Sequence, residues 1–279
     1  MLIGAGWLGK PLALKLQELN YQVKASKTSQ LGAEQLTLLG IDSMVCELPT
    51  SPFEHQFNLL VEALEEFQPD TLIGCFPPRF RQGMKDQYAK WWRSVVEACV
   101  AAKVPKIIMV SATSVYPDEA KLMREEDATL DLSRANSKFS DSAKVMLQAE
   151  QALLDADIEH VVIRCAGLFG PDRHPARFLS KLKQVSQQTT ANMLHLDDAI
   201  GVCLFAIEHL HNDTVNACSP FKVTKAEFYS EALRDSGLAI PFPPLSNEPA
   251  KTICSKKLVK LGYHFHYRSA LDAFRTPNG

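Results

Sequence analysis

Met1-Leu2-Ile3-Gly4-Ala5-Gly6-Trp7-Leu8-Gly9 opens the chain, and Leu12, Leu16 and Leu19 continue from Leu8 at helical spacing. A short apolar run, then G-x-G-x-x-G, then a leucine-periodic helix is the order of a nucleotide-binding strand–turn–helix unit. Each glycine has a physical reason. One permits the tight turn, one lets the backbone approach a pyrophosphate, and one lets the helix pack against the strand. The free amides at the helix N-terminus then face phosphate oxygens. The expected ligand is a dinucleotide, NAD or NADP, held by Gly4, Gly6, Trp7, Leu8 and Gly9. The competing reading is a tight turn with no ligand. Three residues precede Gly4, so either the first strand is short or the natural start lies upstream.

Outward from this loop, strand-like and helix-like stretches alternate. Residues 21–25 and 43–46 read as strands, with a helix over 30–39 between them. Residues 57–67 are amphipathic. Residues 71–76 form an apolar strand stopped by Pro77 and Pro78, a long helix follows over 87–102, and 106–111 is a strand with an apolar centre. A helix over 142–155 and a strand over 160–164 complete the series. This βα alternation predicts an α/β fold with a doubly wound parallel sheet, the Rossmann arrangement. After about residue 167 prolines punctuate shorter segments. Helices are expected over 178–185 and 225–236, a charged exposed loop or helix end over 121–127, and His264 and His266 alternate as on a strand. The expected division is a binding domain over 1–170, with parts of 192–220 returning to it, and a small C-terminal α/β substrate lobe over 171–279.

The composition fits a soluble globular protein: 279 residues, 46% apolar, 22% charged and a net charge of −2. A surface that tracks nucleic acid is usually more basic. No apolar run reaches the roughly 20 residues of a membrane span. No basic stretch followed by an apolar one opens the chain, so a cytoplasmic location is the default expectation. The seven cysteines show no C-x-x-C pair and mostly sit in apolar runs, which reads as core thiols. No metal-ligand spacing is present, so no metal is expected.

The end of the second strand selects the cofactor. An acid there would accept the ribose 2′-OH. The sequence is Val23-Lys24-Ala25-Ser26-Lys27-Thr28-Ser29, with no carboxylate. Lys27, with the hydroxyls of Ser26, Thr28 and Ser29, suits a 2′-phosphate, which favours NADP over NAD. A solvated loop that takes either cofactor is the alternative.

Several segments, in order, resemble the extended short-chain dehydrogenase/reductase superfamily, the NAD-dependent epimerase/dehydratase group. These are GAGWLG, Cys46-Glu47-Leu48, Ser111-Ala112-Thr113-Ser114-Val115-Tyr116, Arg164-Cys165-Ala166-Gly167-Leu168-Phe169-Gly170-Pro171, residues 192–198 and residues 255–263. The resemblance implies that Glu47 and Leu48 contact adenine and that Ala166, Gly167 and Leu168 line the nicotinamide. Cys75, Phe76, Pro77, Ser111 and Ala112, at the ends of the fourth and fifth strands, join the expected cofactor site. The family uses Ser/Thr, Tyr and Lys, with Y-x-x-x-K on one helix, and the lysine lowers the phenol pKa. This chain departs there. Tyr116 as anchor puts Ala112 at the hydroxyl position. Ala149-Glu150 as anchor puts Ser142 and Met146 at the Tyr and Lys positions, and a two-residue shift gives Ser140 and Lys144. No tyrosine lies between Tyr116 and Tyr229.

Thr113, Ser142 and Lys144 are therefore the candidate catalytic residues, with Ser111 as a second substitute hydroxyl. Tyr116 reads as a structural strand-end residue or a substitute catalyst. Arg79 and Arg81 follow the fourth strand, where an anionic ligand would sit, or form a solvated loop. Arg173, His174 and Arg177 stand at the lobe junction, placed for a nucleotide-sugar pyrophosphate or on a bland surface. His195 is the best-placed histidine for the substrate. The adjacent Trp91 and Trp92 exceed what core packing easily takes, and in resembling proteins that helix often joins a dimer interface, so a homodimer is open. Two functions remain. One is an atypical NAD(P)-dependent oxidoreductase or epimerase/dehydratase acting on a nucleotide sugar or another small polar substrate. The other is a non-catalytic NAD(P)-binding sensor or regulatory protein.

Overall fold

The computed structural model describes residues 1–80, 83 and 85–275, with the backbone alone at 85 and 86. Arg81 lies outside the described residues. Through the first half the chain alternates β1 (Leu2–Ile3), α1 (Gly9–Glu18), β2 (Lys24–Lys27), α2 (Gln30–Thr37), β3 (Asp42–Val45), α3 (His55–Phe67), β4 (Thr71–Gly74), α4 (Lys85–Ala101) and β5 (Lys106–Ala112). Then come β6 (Leu122–Met123), α5 (Leu130–Ala135), α6 (Asp141–Leu154), β7 (Glu159–Cys165) and β8 (Gly167–Phe169). The last part holds β9 (Val185–Ser186), β10 (Met193–His195), α7 (Leu196–His209), β11 (Asp213–Ala217), α8 (Lys225–Ser236), β12 (Leu245–Ser246), β13 (Thr252–Ile253) and α9 (Lys256–Lys260).

Seven strands form one parallel sheet in the order β3-β2-β1-β4-β5-β7-β11. Its centre is where the sequence is apolar without interruption. Ile107, Ile108 and Met109 on β5 and Val161, Val162 and Ile163 on β7 are wholly buried, as strands covered by helices on both faces must be. Helix α1 packs beside α7, while α3, α4 and α6 lie side by side. This is the doubly wound Rossmann arrangement the alternation predicts. The first strand, Leu2–Ile3, is held on both sides: Leu2 is paired with Ala25 and with Ile73. In α1 the leucine stripe buries Leu12 and Leu16, whereas Leu19 caps the helix and is half exposed.

The region after residue 167 does not stay apart. β11 completes the main sheet, and Ile253, Leu258, Tyr263 and Phe265 join the main core. A second small core gathers Phe169, Ala191, Phe228 and Ala270. Three expectations are corrected. The helix expected over 178–185 is 3₁₀ and stops at Lys181. Pro175–Lys181 is a 3₁₀ turn, and Val185–Ser186 then pairs with β12, so the backbone amides go to a ladder instead of a helix. His264 and His266 are not on a strand, because the amides of His266 and Tyr267 donate to the buried Asp198 carboxylate at 2.7 and 3.0 Å. The charged segment 121–127 is not simply exposed. Met123 is wholly buried and β6 pairs with β13.

Candidate functional site

The three glycines of the opening loop differ in what surrounds them. Gly4 has φ +92°, a left-handed conformation open to glycine, and a Cβ there would lie 3.0 Å from the backbone of Phe76. A Cβ on Gly9 would stand 2.4 Å from the Gly4 carbonyl oxygen and 2.9 Å from Leu2. A Cβ on Gly6 would meet nothing within 4 Å. One glycine makes the turn, one admits the helix to the strand, and one leaves an open approach to the backbone. Ser26 holds the loop in place: its hydroxyl accepts from the Gly4 amide at 3.1 Å and its carbonyl from the Ala5 amide at 2.9 Å. Among the described residues nothing accepts from the amides of Trp7 and Leu8, which stand at the start of α1.

This loop forms one wall of a cleft of about 530 Å³ at the carboxyl ends of β1 to β4. Of the expected cofactor residues, Gly4, Gly6, Ser26, Lys27, Thr28, Glu47, Leu48, Phe76 and Pro77 line it. Arg79, read from the sequence as a substrate residue, lines the same cleft. Gln87 and Trp91 were missed. They stand one turn apart at the start of α4, so their shared face follows from helical spacing once that helix is known to border the cleft. The Ser26 and Ser29 hydroxyls each accept from a backbone amide and keep their own O–H to donate. Ser26 is buried against the glycine loop, and Ser29 caps α2 by accepting from the Gly32 amide at 3.2 Å.

Trp91 and Trp92 both find places within the chain. Trp92 is wholly buried, stacks on Phe76 at 4.6 Å and lies where a Cβ on Gly74 would be, while Trp91 faces the cleft. Both rings are thus accommodated within one chain.

On the β5–α6 side the polar groups are paired with one another. Ser111 Oγ donates to Glu150 at 2.5 Å. Arg164 donates to both Glu150 oxygens, through Nε at 3.2 Å and through Nη2 to Oε2 at 2.7 Å, and to the Tyr116 hydroxyl at 3.0 Å. Tyr116 donates in turn to Asn216 at 2.7 Å, and burial pushes its phenol up to about 12. Neither Ser111 nor Tyr116 is spare for proton transfer. Glu150 also fixes the facing of α6. Counting back one turn each time from Glu150 gives Met146, which is buried, and Ser142, which is half-buried. The Ser114 hydroxyl lies 3.3 Å from the Met146 sulfur. Lys144 stands on another side of the helix, about 200° from Ser142 at 100° per residue. Thr113 and Ala112 are half-buried at the end of β5.

Comparison with known proteins agrees with this construction. The NAD dependent epimerase/dehydratase family matches residues 2–218. The chain belongs to that family. It is 29% identical over 278 residues to Protein YeeZ of Escherichia coli (strain K12), covering 97% of this chain and 96% of that one. Two solved structures share its fold. The Bordetella bronchiseptica enzyme WbmH in complex with NAD+ has a TM-score of 0.74 at 15% identity, covering 98% of this chain and 94% of that one. The Thermus thermophilus UDP-glucose 4-epimerase complex with NAD has 0.73 at 17%, covering 99% of each.

In this epimerase/dehydratase chain the remaining expected residues divide between support and surface. Leu8 and Gly9 are buried in the start of α1. Cys75 is half-buried, its backbone amide bonded to Ile3 and its thiol raised by burial. Ala166 donates its amide to Ala217, Gly167 is exposed where β8 meets β10, and Leu168 is half-buried. Trp7 bridges the loop to the lobe junction. Its indole N–H donates to the Pro171 carbonyl at 2.8 Å, and the Arg173 guanidinium lies 5.2 Å from its ring. Arg177 is exposed and donates to the Asp172 carbonyl. The two histidines are committed elsewhere. His174 Nδ1 accepts from the Ala176 amide and its Nε2 lies 3.1 Å from Asp235. His195 caps α7, with its ring packed between Phe169 and Tyr267. Among the described residues no group of three His, Cys, Asp or Glu could hold a metal ion, and no helix is long and apolar enough to cross a membrane.

Proposed function

We propose that the cleft binds NADP in preference to NAD, and that the chain is an oxidoreductase or epimerase/dehydratase acting on a nucleotide sugar or another small polar substrate. The observation that carries this reading is the opening at Gly6 beside the unaccepted amides of Trp7 and Leu8. A diphosphate is the group such amides suit. Leu48 and Phe76 supply apolar cleft surface for adenine, and Glu47 an acceptor for its exocyclic amine. Lys27 and Thr28 stand where a carboxylate would otherwise favour a free 2′-OH. The chemistry a bound nicotinamide supplies is reversible hydride transfer. Thr113 and Ser142 offer hydroxyls on the β5–α6 side, and Arg173 and Arg177 offer positive charge for a substrate diphosphate. The named activity of the Thermus enzyme supports a nucleotide sugar as the substrate class.

The second reading, a binding protein without turnover, is favoured by the buried Met146 in the row Ser142–Met146–Glu150 and by the absence of tyrosine from α6. A homodimer belongs to the same proposal. The outer groove between α4 and α6, about 920 Å³ and lined by Arg93, Glu97, Arg134 and Asp155, is the surface it offers a second copy. Sedimentation checks it.

Titration with NADPH and NADH, following tryptophan emission, tests the core of the proposal, because Trp7 lies in the glycine loop and Trp91 in the cleft. Incubation with UDP-sugars then follows. Binding with turnover supports the enzyme, and binding without turnover supports the sensor. A folded protein that binds neither cofactor, oxidised or reduced, removes both.

A further inference from the structure

Arg79 occupies an unusual place. It follows two prolines on the loop after β4 and has φ +52°, a left-handed conformation that costs a side-chain-bearing residue energy. Its side chain lines the cleft, and among the described residues no carboxylate or carbonyl pairs with it. The other cation in the cleft, Lys27, comes from the end of β2. Its stem lies against the first turn of α2, where a Cβ on Gly32 would stand 3.2 Å from Lys27 Cβ and Cγ. That glycine lets the lysine lie flat across the helix start. Lys27 likewise has no acid partner among the described residues. The cleft thus holds two uncompensated cations carried by different strand ends. Thr28 adds a hydroxyl without a partner among the described residues, beside Ser26 and Ser29, whose oxygens accept backbone amides. The acid in the cleft, Glu47, is exposed and follows β3.

We propose that Arg79 is a specificity-determining residue for the cofactor, forming with Lys27 a two-walled clamp for the 2′-phosphate of NADP. This replaces its sequence-based assignment to the substrate, and it rests on the dinucleotide reading of the cleft. The chemistry matches. A ribose 2′-phosphate carries between one and two negative charges near neutral pH and three acceptor oxygens. A guanidinium and an ammonium can meet it from two sides, the first through a planar fork and the second as a point charge. A free 2′-OH offers neither cation a strong partner.

The test compares NADPH, NADH, 2′,5′-ADP and 5′-ADP for the unmodified protein and for Arg79→Gln and Lys27→Gln, with thermal unfolding confirming that each variant is folded. The expected result is tighter binding of NADPH than NADH by a factor of about 30 or more, and of 2′,5′-ADP over 5′-ADP by a similar factor. Each substitution should weaken NADPH and 2′,5′-ADP by about tenfold and leave NADH and 5′-ADP within about twofold. Arg79→Lys should recover part of the loss. If Arg79→Gln weakens NADPH and NADH equally, or neither, the clamp is overturned while the dinucleotide reading stands. If none of the four ligands binds the folded protein, the dinucleotide reading itself fails.

Discussion

The two halves of the sheet's carboxyl edge are built on different terms. Around β1, β2 and β3 the chain keeps space open. Gly4 turns, a Cβ on Gly6 would meet nothing within 4 Å, and among the described residues Lys27 and Arg79 have no acid partner. Around β5, β7 and α6 it fills space and pairs its central buried charges. Ser111, Glu150, Arg164, Tyr116 and Asn216 form one continuous buried network, and Met146 closes the row toward Ser142. The first half is shaped to receive a ligand, and the second is shaped to hold the fold.

The sharpest way to break this comparison uses two glycines of the same loop. Gly9→Val forces a side chain into the Gly4 carbonyl and Leu2, and should cost about 3 kcal/mol or more in stability, since backbone must move. Gly6→Val points into the open cleft instead. It should unfold within about 2 °C of the parent yet bind NADPH about 100-fold more weakly, equivalent to roughly 2.7 kcal/mol. Thermal unfolding beside a binding titration reads both. Unchanged affinity in a folded Gly6→Val protein would sink the phosphate-loop assignment.

On the other half, Glu150→Ala leaves Arg164 buried without its acid. A loss of about 3–5 kcal/mol is expected, because the guanidinium stays desolvated while its Coulomb partner is gone. Urea unfolding measures it. A loss below about 1 kcal/mol would show that water reaches Arg164, and that this half is as open as the other. Met146→Lys sharpens the same point. At a position 2% exposed, an ammonium one turn from a Glu150 carboxylate already held by Arg164 and Ser111 should destabilise by about 2–3 kcal/mol. Met146→Leu, of similar volume, should cost under about 1.5 kcal/mol. If Met146→Lys is neutral, the side chain reaches solvent or the cleft, and the position is still fit for the family's lysine.

The open half was the more legible in the sequence for a physical reason. Glycines forced by turns and close approaches leave a spaced pattern, so the loop was readable from residues 1–9; the sheet followed from the βα alternation, Lys27 and Thr28 from the end of the second strand, and Glu47 and Leu48 from the family resemblance. What a hydroxyl or a histidine does was not. Ser26, Ser111, His174 and His195 stand near the site in chain position, but each has a polar atom turned to a loop amide, a buried carboxylate or a helix start. Only the neighbours in space decide that. The tryptophan pair shows the same dependence on neighbours in space. Adjacent helical residues point about 100° apart, so Trp92 can go down onto Gly74 while Trp91 turns to the cleft, and no second chain is needed to bury them.

The smallest effect lies where the open half meets the C-terminal region. Trp7→Phe keeps a ring beneath Arg173 but removes the N–H that donates to the Pro171 carbonyl. The bond sits at the surface, so water can replace the lost donor, and the expected loss is about 0.5–1 kcal/mol in urea unfolding. The ring still packs and the loop amides are unaltered, so NADPH affinity should stay within about threefold. A loss of affinity much larger than the loss of stability would mean that the indole holds the loop in its binding shape. The receiving half would then depend on the lobe junction, and the two regions would answer to each other through one hydrogen bond.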